Sequence, residues 1–225
     1  MITIVIPCKN EENYIGNLLQ SIRIQNCNYK IIIADGGSTD STIKIIKSFT
    51  DLNISIISGG LPAVGRNKGG FLCDTKYILF IDADAVLTEK LIKRALNKII
   101  KTDSDLLTCN LNSNYFLAKI FYKITNLIIK ISKLDKPFST GVFFLIRTDV
   151  FKNLNGFPEN AMHCEDYLLS RQINPQRFTI LNQDVYTDNR RFKKMGHFNM
   201  IRYVFKNILN RNNIEYFNKN IGYWK

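Results

Sequence analysis

Over its first 90 residues the chain alternates short β-branched runs with amphipathic segments, and few folds satisfy that order. Residues 2–7 (ITIVIP) read as a buried strand, and residues 11–24 as a helix with Ile15, Leu18, Leu19 and Ile22 on one face. A second strand at 30–34 (KIIIA) is broken by Asp35-Gly36-Gly37. A helix at 41–49 follows, with Thr39 or Asp40 as its N-cap. Residues 53–57 and 77–81 supply a third and a fourth strand. Strands that alternate with helices imply a parallel sheet with right-handed crossovers.

Open parallel sheets bind ligands at the carboxyl ends of their strands. Polar residues gather there: Lys9, Asn10 and Glu11 after the first strand, Asp35 after the second, Asp82 and Asp84 after the fourth. One site built from several loops is the expectation. Asp82-Ala83-Asp84 sets two carboxylates one residue apart beyond an apolar run. Such a pair can hold one hard cation, Mg²⁺ or Mn²⁺, which keeps waters and takes its other ligands from substrate phosphates. The same tripeptide also occurs as a solvated turn.

Beyond residue 90 the pattern loosens. Residues 91–100 read as a helix, 105–111 as a strand, 117–134 as a helix, 141–147 (GVFFLIR) as a strand, and 186–189 as the start of a last one. In the 117–134 segment Lys119, Lys123, Lys130 and Lys133 fall within about 40° of one line. Ile120, Ile124, Leu127, Ile128, Ile131 and Leu134 are placed opposite them. Residues 197–211 are amphipathic in the same way. Each apolar face either packs on the core or meets an anionic bilayer.

Bulk numbers set limits. A chain of 225 residues with 45% hydrophobic and 22% charged residues can bury one sizeable core. A net charge of +12 points to an anionic partner. Five scattered cysteines with no C-x-x-C pair signal neither zinc nor a disulfide framework, and suit a reducing cytoplasm. Residues 1–7 are too short and lack the basic leader of a signal peptide, and no run is long enough to span a membrane.

Five pieces, in this order and spacing, resemble the family 2 glycosyltransferases: VIPCKNEENYIGNLLQSI at 5–22, IIIADGGSTDST at 31–42, GRNKGG at 65–70, ILFIDADAVL at 78–87 and HCEDYLLSRQI at 163–173. The resemblance covers about residues 2–192. It implies the inverting GT-A fold, an α/β single domain whose Rossmann-like, mostly parallel sheet is flanked by helices. Residues 1–90 would be the nucleotide-binding half, 91–192 the acceptor-binding half, and 193–225 a basic amphipathic tail.

The roles it implies are carried by position. Pro7, Lys9, Asn10, Glu11 and Asp35 resemble the segments that grip the nucleoside, with Asp35 accepting from the base or else shaping its turn. The family often has two adjacent acids where this chain has Asp35-Gly36. Arg66 resembles the basic residue of the nucleotide pocket. Asp84 resembles the metal ligand, and Asp82 contacts the ribose or a metal-bound water. Asp166 resembles the general base for the acceptor hydroxyl, with Glu165 orienting the acceptor; both also suit a helix N-terminus. His163 is a further candidate metal ligand, or an acceptor-wall or packing residue, and Cys164 a packing residue. Arg190 and Arg191, with Lys193 and Lys194, resemble a cluster near the donor diphosphate, or form a solvated charge run.

A UDP-sugar donor is preferred to a GDP-sugar, and the acceptor would be a glycan, a lipid-linked sugar or a protein. The Q-x-x-R-W motif of processive synthases is absent, Trp224 being the only tryptophan, which favours single-sugar transfer. The expected location is cytoplasmic, peripheral on the inner face of a membrane. Three alternatives compete. A sugar nucleotidyltransferase would need a glycine-rich first loop, where this chain has PCKNEE. A basic nucleic-acid-binding module would leave the strand-end acids unexplained, so no nucleic acid is expected. A sugar-binding relative that has lost catalysis would not need Asp82, Asp84 and Asp166.

Overall fold

The computed structural model describes residues 1–219; the rest of the 193–225 tail, with Trp224, lies outside the described residues. In chain order the elements are β1 (Ile2–Cys8), α1 (Ile15–Arg23), β2 (Lys30–Asp35), α2 (Thr42–Ser48), β3 (Asn53–Ser58), α3 (Pro62–Phe71), β4 (Tyr77–Phe80) and β5 (Ala85–Leu87). There follow α4 (Leu91–Lys101), β6 (Leu106–Asn112), α5 (Phe116–Ser132), β7 (Phe144–Arg147), α6 (Thr148–Asn153), α7 (Glu165–Ser170) and β8 (Phe178–Thr187). Three helices end the described chain: α8 (Arg190–Met195), α9 (His197–Leu209) and α10 (Ile214–Phe217).

The eight strands form one sheet in the order β3-β2-β1-β4-β7-β6-β8-β5. The β3-β2-β1-β4 half is parallel, as the alternation requires, with Val5 of β1 opposite both Ile32 of β2 and Phe80 of β4. The second half is mixed: β7 runs antiparallel to β4 and β6, β5 antiparallel to β8, and β6 parallel to β8. Because side chains alternate across a strand, each face buries its own set. Ile4, Ile6, Ile31 and Leu79 meet Leu18 and Leu19 of α1 and the α4 face on one side. Val5, Ile32, Ile78 and Phe80 meet α3, α6 and α7 on the other. There Phe80 stacks edge-on to Phe157 with centroids 5.0 Å apart.

Several local expectations shift. The first helix begins at Ile15, because residues 11–14 form a turn in which the Glu11 carbonyl accepts from the Tyr14 and Ile15 N–H groups. The second is capped at Ser41 without a side-chain bond from it, while Asp40 Oδ1 accepts from the Thr42 N–H at 3.0 Å. The last strand starts at Phe178, well before 186; polar Asn182, Gln183 and Asp184 lie within it, where its register with β6 slips. The α3 helix over the GRNKGG segment was not expected, since three glycines depress helix propensity. They are needed for closeness: a Cβ on Gly69 would stand 2.5 Å from Val5 Cγ1.

Helix α5 departs furthest from the core-packing alternative. Only Ala118, Thr125 and Ile129 are buried, whereas Leu117, Ile120, Ile124, Leu127 and Ile131 are 45–57% exposed. Its lysines border this stripe rather than lying opposite it. Among the described residues no helix is long and apolar enough to cross a membrane.

Candidate active site

Of the strand-end acids, Asp82 and Asp84 line one cleft of about 480 Å³, whose wall also includes Arg66, Glu165, Asp166 and Arg191, while Glu11 and Asp35 are not part of that wall. Two arginines organise it. Arg66 projects from α3 and is 2% exposed. Its Nη2 donates to Asp82 Oδ1 at 2.5 Å, and its Nη1 donates to Glu165 Oε1. The guanidinium stands over Phe157, with Cζ 5.5 Å from the ring centroid. Burial by itself would lower the Arg66 pKa, but Asp82, Glu165 and Asp166 outweigh it and hold the side chain charged. Arg66 thus ties the end of β4 to the start of α7.

Arg190, at the start of α8, ties Glu11 to Asp84. Its Nη1 and Nη2 donate to Glu11 at 2.5 and 2.9 Å, its Nε stands 3.1 Å from Asp84 Oδ2, and its Cζ lies 4.9 Å from the Tyr14 centroid. Burial raises the pKa of Asp84 from its ordinary value, Arg190 opposing and Asp82 reinforcing the rise. Glu11 is raised by burial in the same way, against the pull of Arg190.

Asp166 sits in the first turn of α7. Its Oδ2 accepts from the Gly141 N–H at 2.8 Å and its Oδ1 from the Tyr167 N–H at 2.7 Å. A Cβ on Gly141 would run into the Arg66 guanidinium, so glycine is the residue that fits here. Burial, and then the neighbouring Glu165 charge, lift the Asp166 pKa to about 6. A carboxyl poised there is charged at neutral pH and still basic enough to take a proton.

Apart from Cys164, which lines the cleft, the other candidates fall outside its wall. Asp35 accepts from the Gly37 N–H at 3.2 Å, from the Ser38 N–H at 3.1 Å and from Ser38 Oγ at 2.6 Å, so its contacts are those of the turn-shaping alternative. Asn10, at φ 55°, accepts from the Thr39 N–H at 2.8 Å through Oδ1, while Pro7 is half-buried and Lys9 exposed beside it. His163 is fully buried, its ring 5.3 Å from those of Tyr216 and Phe217, and its Nδ1 is 3.4 Å from the Tyr203 hydroxyl. Burial lowers its pKa. These are the contacts of a packing residue. Cys164 donates to or accepts from that same hydroxyl at 3.2 Å. Lys193 and Lys194 are exposed.

Some site residues escaped sequence reasoning. Asp188 lines the cleft and accepts from the Arg190 N–H at 2.7 Å; its place just after β8 is the signal that a better boundary would have exposed. Gly141 and Tyr14 carried none.

Among the described residues no three His, Cys, Asp or Glu side chains converge as a ready-made metal cage. Asp82 and Asp84 offer two hard oxygen donors on the cleft wall, and burial with like charge makes Asp84 costly to ionise without a cation beside it. That donor set fits a Mg²⁺ or Mn²⁺ ion completed by substrate phosphate. In this structure Arg66 and Arg190 supply the positive charge.

The model of the family described as glycosyl transferase family 2 matches residues 3–154. The poly(ribitol-phosphate) beta-N-acetylglucosaminyltransferase TarS of Staphylococcus aureus (strain MW2) is 23% identical over 197 residues, covering 82% of this chain and 34% of its own length. The chain therefore spans about a third of that relative. The structure of S. aureus TarS 1-349 in complex with UDP-GlcNAc superposes with a TM-score of 0.66 at 22% identity, covering 83% of this chain and 58% of that one. Glucosyl-3-phosphoglycerate synthase from Mycobacterium tuberculosis, in complex with Mn²⁺ and UDP-glucose, gives a TM-score of 0.64 at 16% identity over 94% of this chain and 78% of that one. The likeness is one of fold, the GT-A arrangement of a mostly parallel sheet between helices.

Proposed function

Because the chain belongs to glycosyl transferase family 2, we propose that it moves one sugar from a nucleotide-sugar donor to an acceptor hydroxyl, with inversion at the anomeric carbon. The observation that carries this reading is the convergence of Asp82, Asp84, Glu165, Asp166 and Arg191 on one cleft at the carboxyl ends of the strands. Residues 1–90 hold the nucleotide and residues 91–192 the acceptor. UDP is the preferred nucleoside diphosphate; the UDP-GlcNAc and UDP-glucose complexes of the two fold relatives support that preference.

Asp166 accepts the acceptor's hydroxyl proton as that oxygen attacks the anomeric carbon, and the bond from that carbon to the diphosphate oxygen breaks. Glu165, fixed by Arg66, orients the acceptor. Arg190 and Arg191 grip phosphate oxygens as the nucleoside diphosphate leaves. When bound at Asp84 with Asp82, Mg²⁺ or Mn²⁺ supplies Lewis-acid neutralisation of charge on that leaving group. The Pro7–Glu11 loop and Asp35 frame the nucleoside. The five cysteines are free thiols, in keeping with a cytoplasmic location.

Two variants separate donor binding from transfer. Asp84→Ala is expected to abolish metal-dependent UDP binding, measured by calorimetry. Asp166→Asn is expected to keep UDP binding and to stop the release of UDP from UDP-sugars in the presence of acceptor. Normal turnover by Asp166→Asn would remove Asp166 as the base.

A further inference from the structure

The cleft does not end at the acids. From Asp82 and Asp166 it runs between α5 and α9, past Phe121, Thr125 and Ile128 on one wall and Met200, Val204 and Tyr203 on the other. Ile131 of α5 and Ile208 of α9 line it and are also 57% and 42% exposed, so they mark its two rims.

Outside each rim the helix surface follows one order. At about 100° per residue, the α5 wall is succeeded by the exposed stripe of Leu117, Ile120, Ile124 and Leu127, and that stripe by exposed Lys119, Lys123 and Lys130. On α9 the wall is succeeded by exposed Phe198, Ile201, Phe205 and Leu209, and these by exposed Arg202 and Lys206. The cleft mouth is thus flanked by two apolar stripes with basic rows beyond them. Monomeric proteins rarely leave apolar area so contiguous without a use. The concentric order of apolar band and basic rim matches the interface of an anionic bilayer, where apolar side chains enter the acyl boundary and basic ones meet headgroups.

We propose that the α5–α9 face seats on an anionic membrane surface and that the cleft between the two helices takes the aliphatic chain of a lipid-linked acceptor, bringing its hydroxyl up to Asp166. The identity of the cleft's occupant as acceptor rests on the transfer reading above; the seating on lipid does not.

The test is co-sedimentation of the chain with vesicles of phosphatidylglycerol and phosphatidylcholine, and with vesicles of phosphatidylcholine alone, beside calorimetry of each variant with UDP. Binding to the anionic vesicles is expected, and weak binding to the neutral ones. Lys119→Gln/Lys123→Gln/Lys130→Gln is expected to lose about fivefold per lysine, on the order of a hundredfold together. Leu127→Glu/Phe205→Glu, both at exposed positions, is expected to abolish binding without changing UDP affinity. Absent binding to anionic vesicles, or binding indifferent to both variants, overturns the proposal. So does a dimer in solution that Leu127→Glu/Phe205→Glu converts to monomer, since a second copy would then cover the face. UDP binding without vesicle binding sinks the membrane seat alone, and vesicle binding without UDP binding sinks the transfer reading alone.

Discussion

Asp166 and Arg66 show how single residues set the chemistry. The Asp166 carboxyl, lifted to about 6 by burial and by Glu165, can serve as the proposed base only when deprotonated. The rate of transfer is therefore expected to fall as pH drops through about 6, in a pH profile of kcat/KM, and Asp166→Glu should shift or weaken that limb. A flat profile between pH 5 and 7.5 would count against Asp166. Arg66 neutralises Asp82 and the buried Glu165 together. Arg66→Met leaves those acids without their partner, so a loss of about 3–5 kcal/mol is expected in urea unfolding, as for other broken buried pairs. The strand-end acids were legible because their spacing after apolar runs survives in one dimension. Their partners were not: Glu165 lies 99 residues from Arg66, and Arg190 lies 179 from Glu11. Nothing local in the sequence announces a pairing made by folding.

Among the elements, the parallel half followed from hydrophobic pattern alone, since β1, β2 and β3 each carry a β-branched run, and β4 an apolar one, between turn signals. The second half mixes directions, and β8 hides polar residues in its middle where the ladder slips, so its start could not be read from hydrophobicity. Helix α3 was hidden for the opposite reason. Its glycines argue against a helix locally, and only the closeness of β1 and Phe151 explains them. On Gly70 a Cβ would meet Phe151 Cε1 at 2.6 Å and Phe80 Cζ at 3.0 Å. Gly70→Ala is accordingly expected to destabilise the chain by about 1–3 kcal/mol through overpacking, despite the better helix propensity of alanine. A raised melting temperature in that variant would show that α3 can move off the sheet. Helix α5 carries the remaining lesson: an amphipathic pattern fixes the helix but not what its apolar face meets.

At the scale of the whole molecule, two arginines bridge what the sequence separates, and the +12 net charge has two destinations. Arg191 lines the cleft and Arg190 pairs with Asp84 of its wall, while the lysines of α5 stand on the outer face. On the proposed reading the first group meets phosphate and the second an anionic surface, so salt is expected to weaken vesicle binding more steeply than nucleotide binding. The proposed donor site, in which Asp84 and Asp82 with a divalent ion hold a nucleoside diphosphate, is open to titration calorimetry with UDP and then GDP, each with and without Mn²⁺. Micromolar binding of UDP in preference to GDP, lost on adding EDTA, is the expected result. Binding of neither nucleotide, with or without metal, would contradict it.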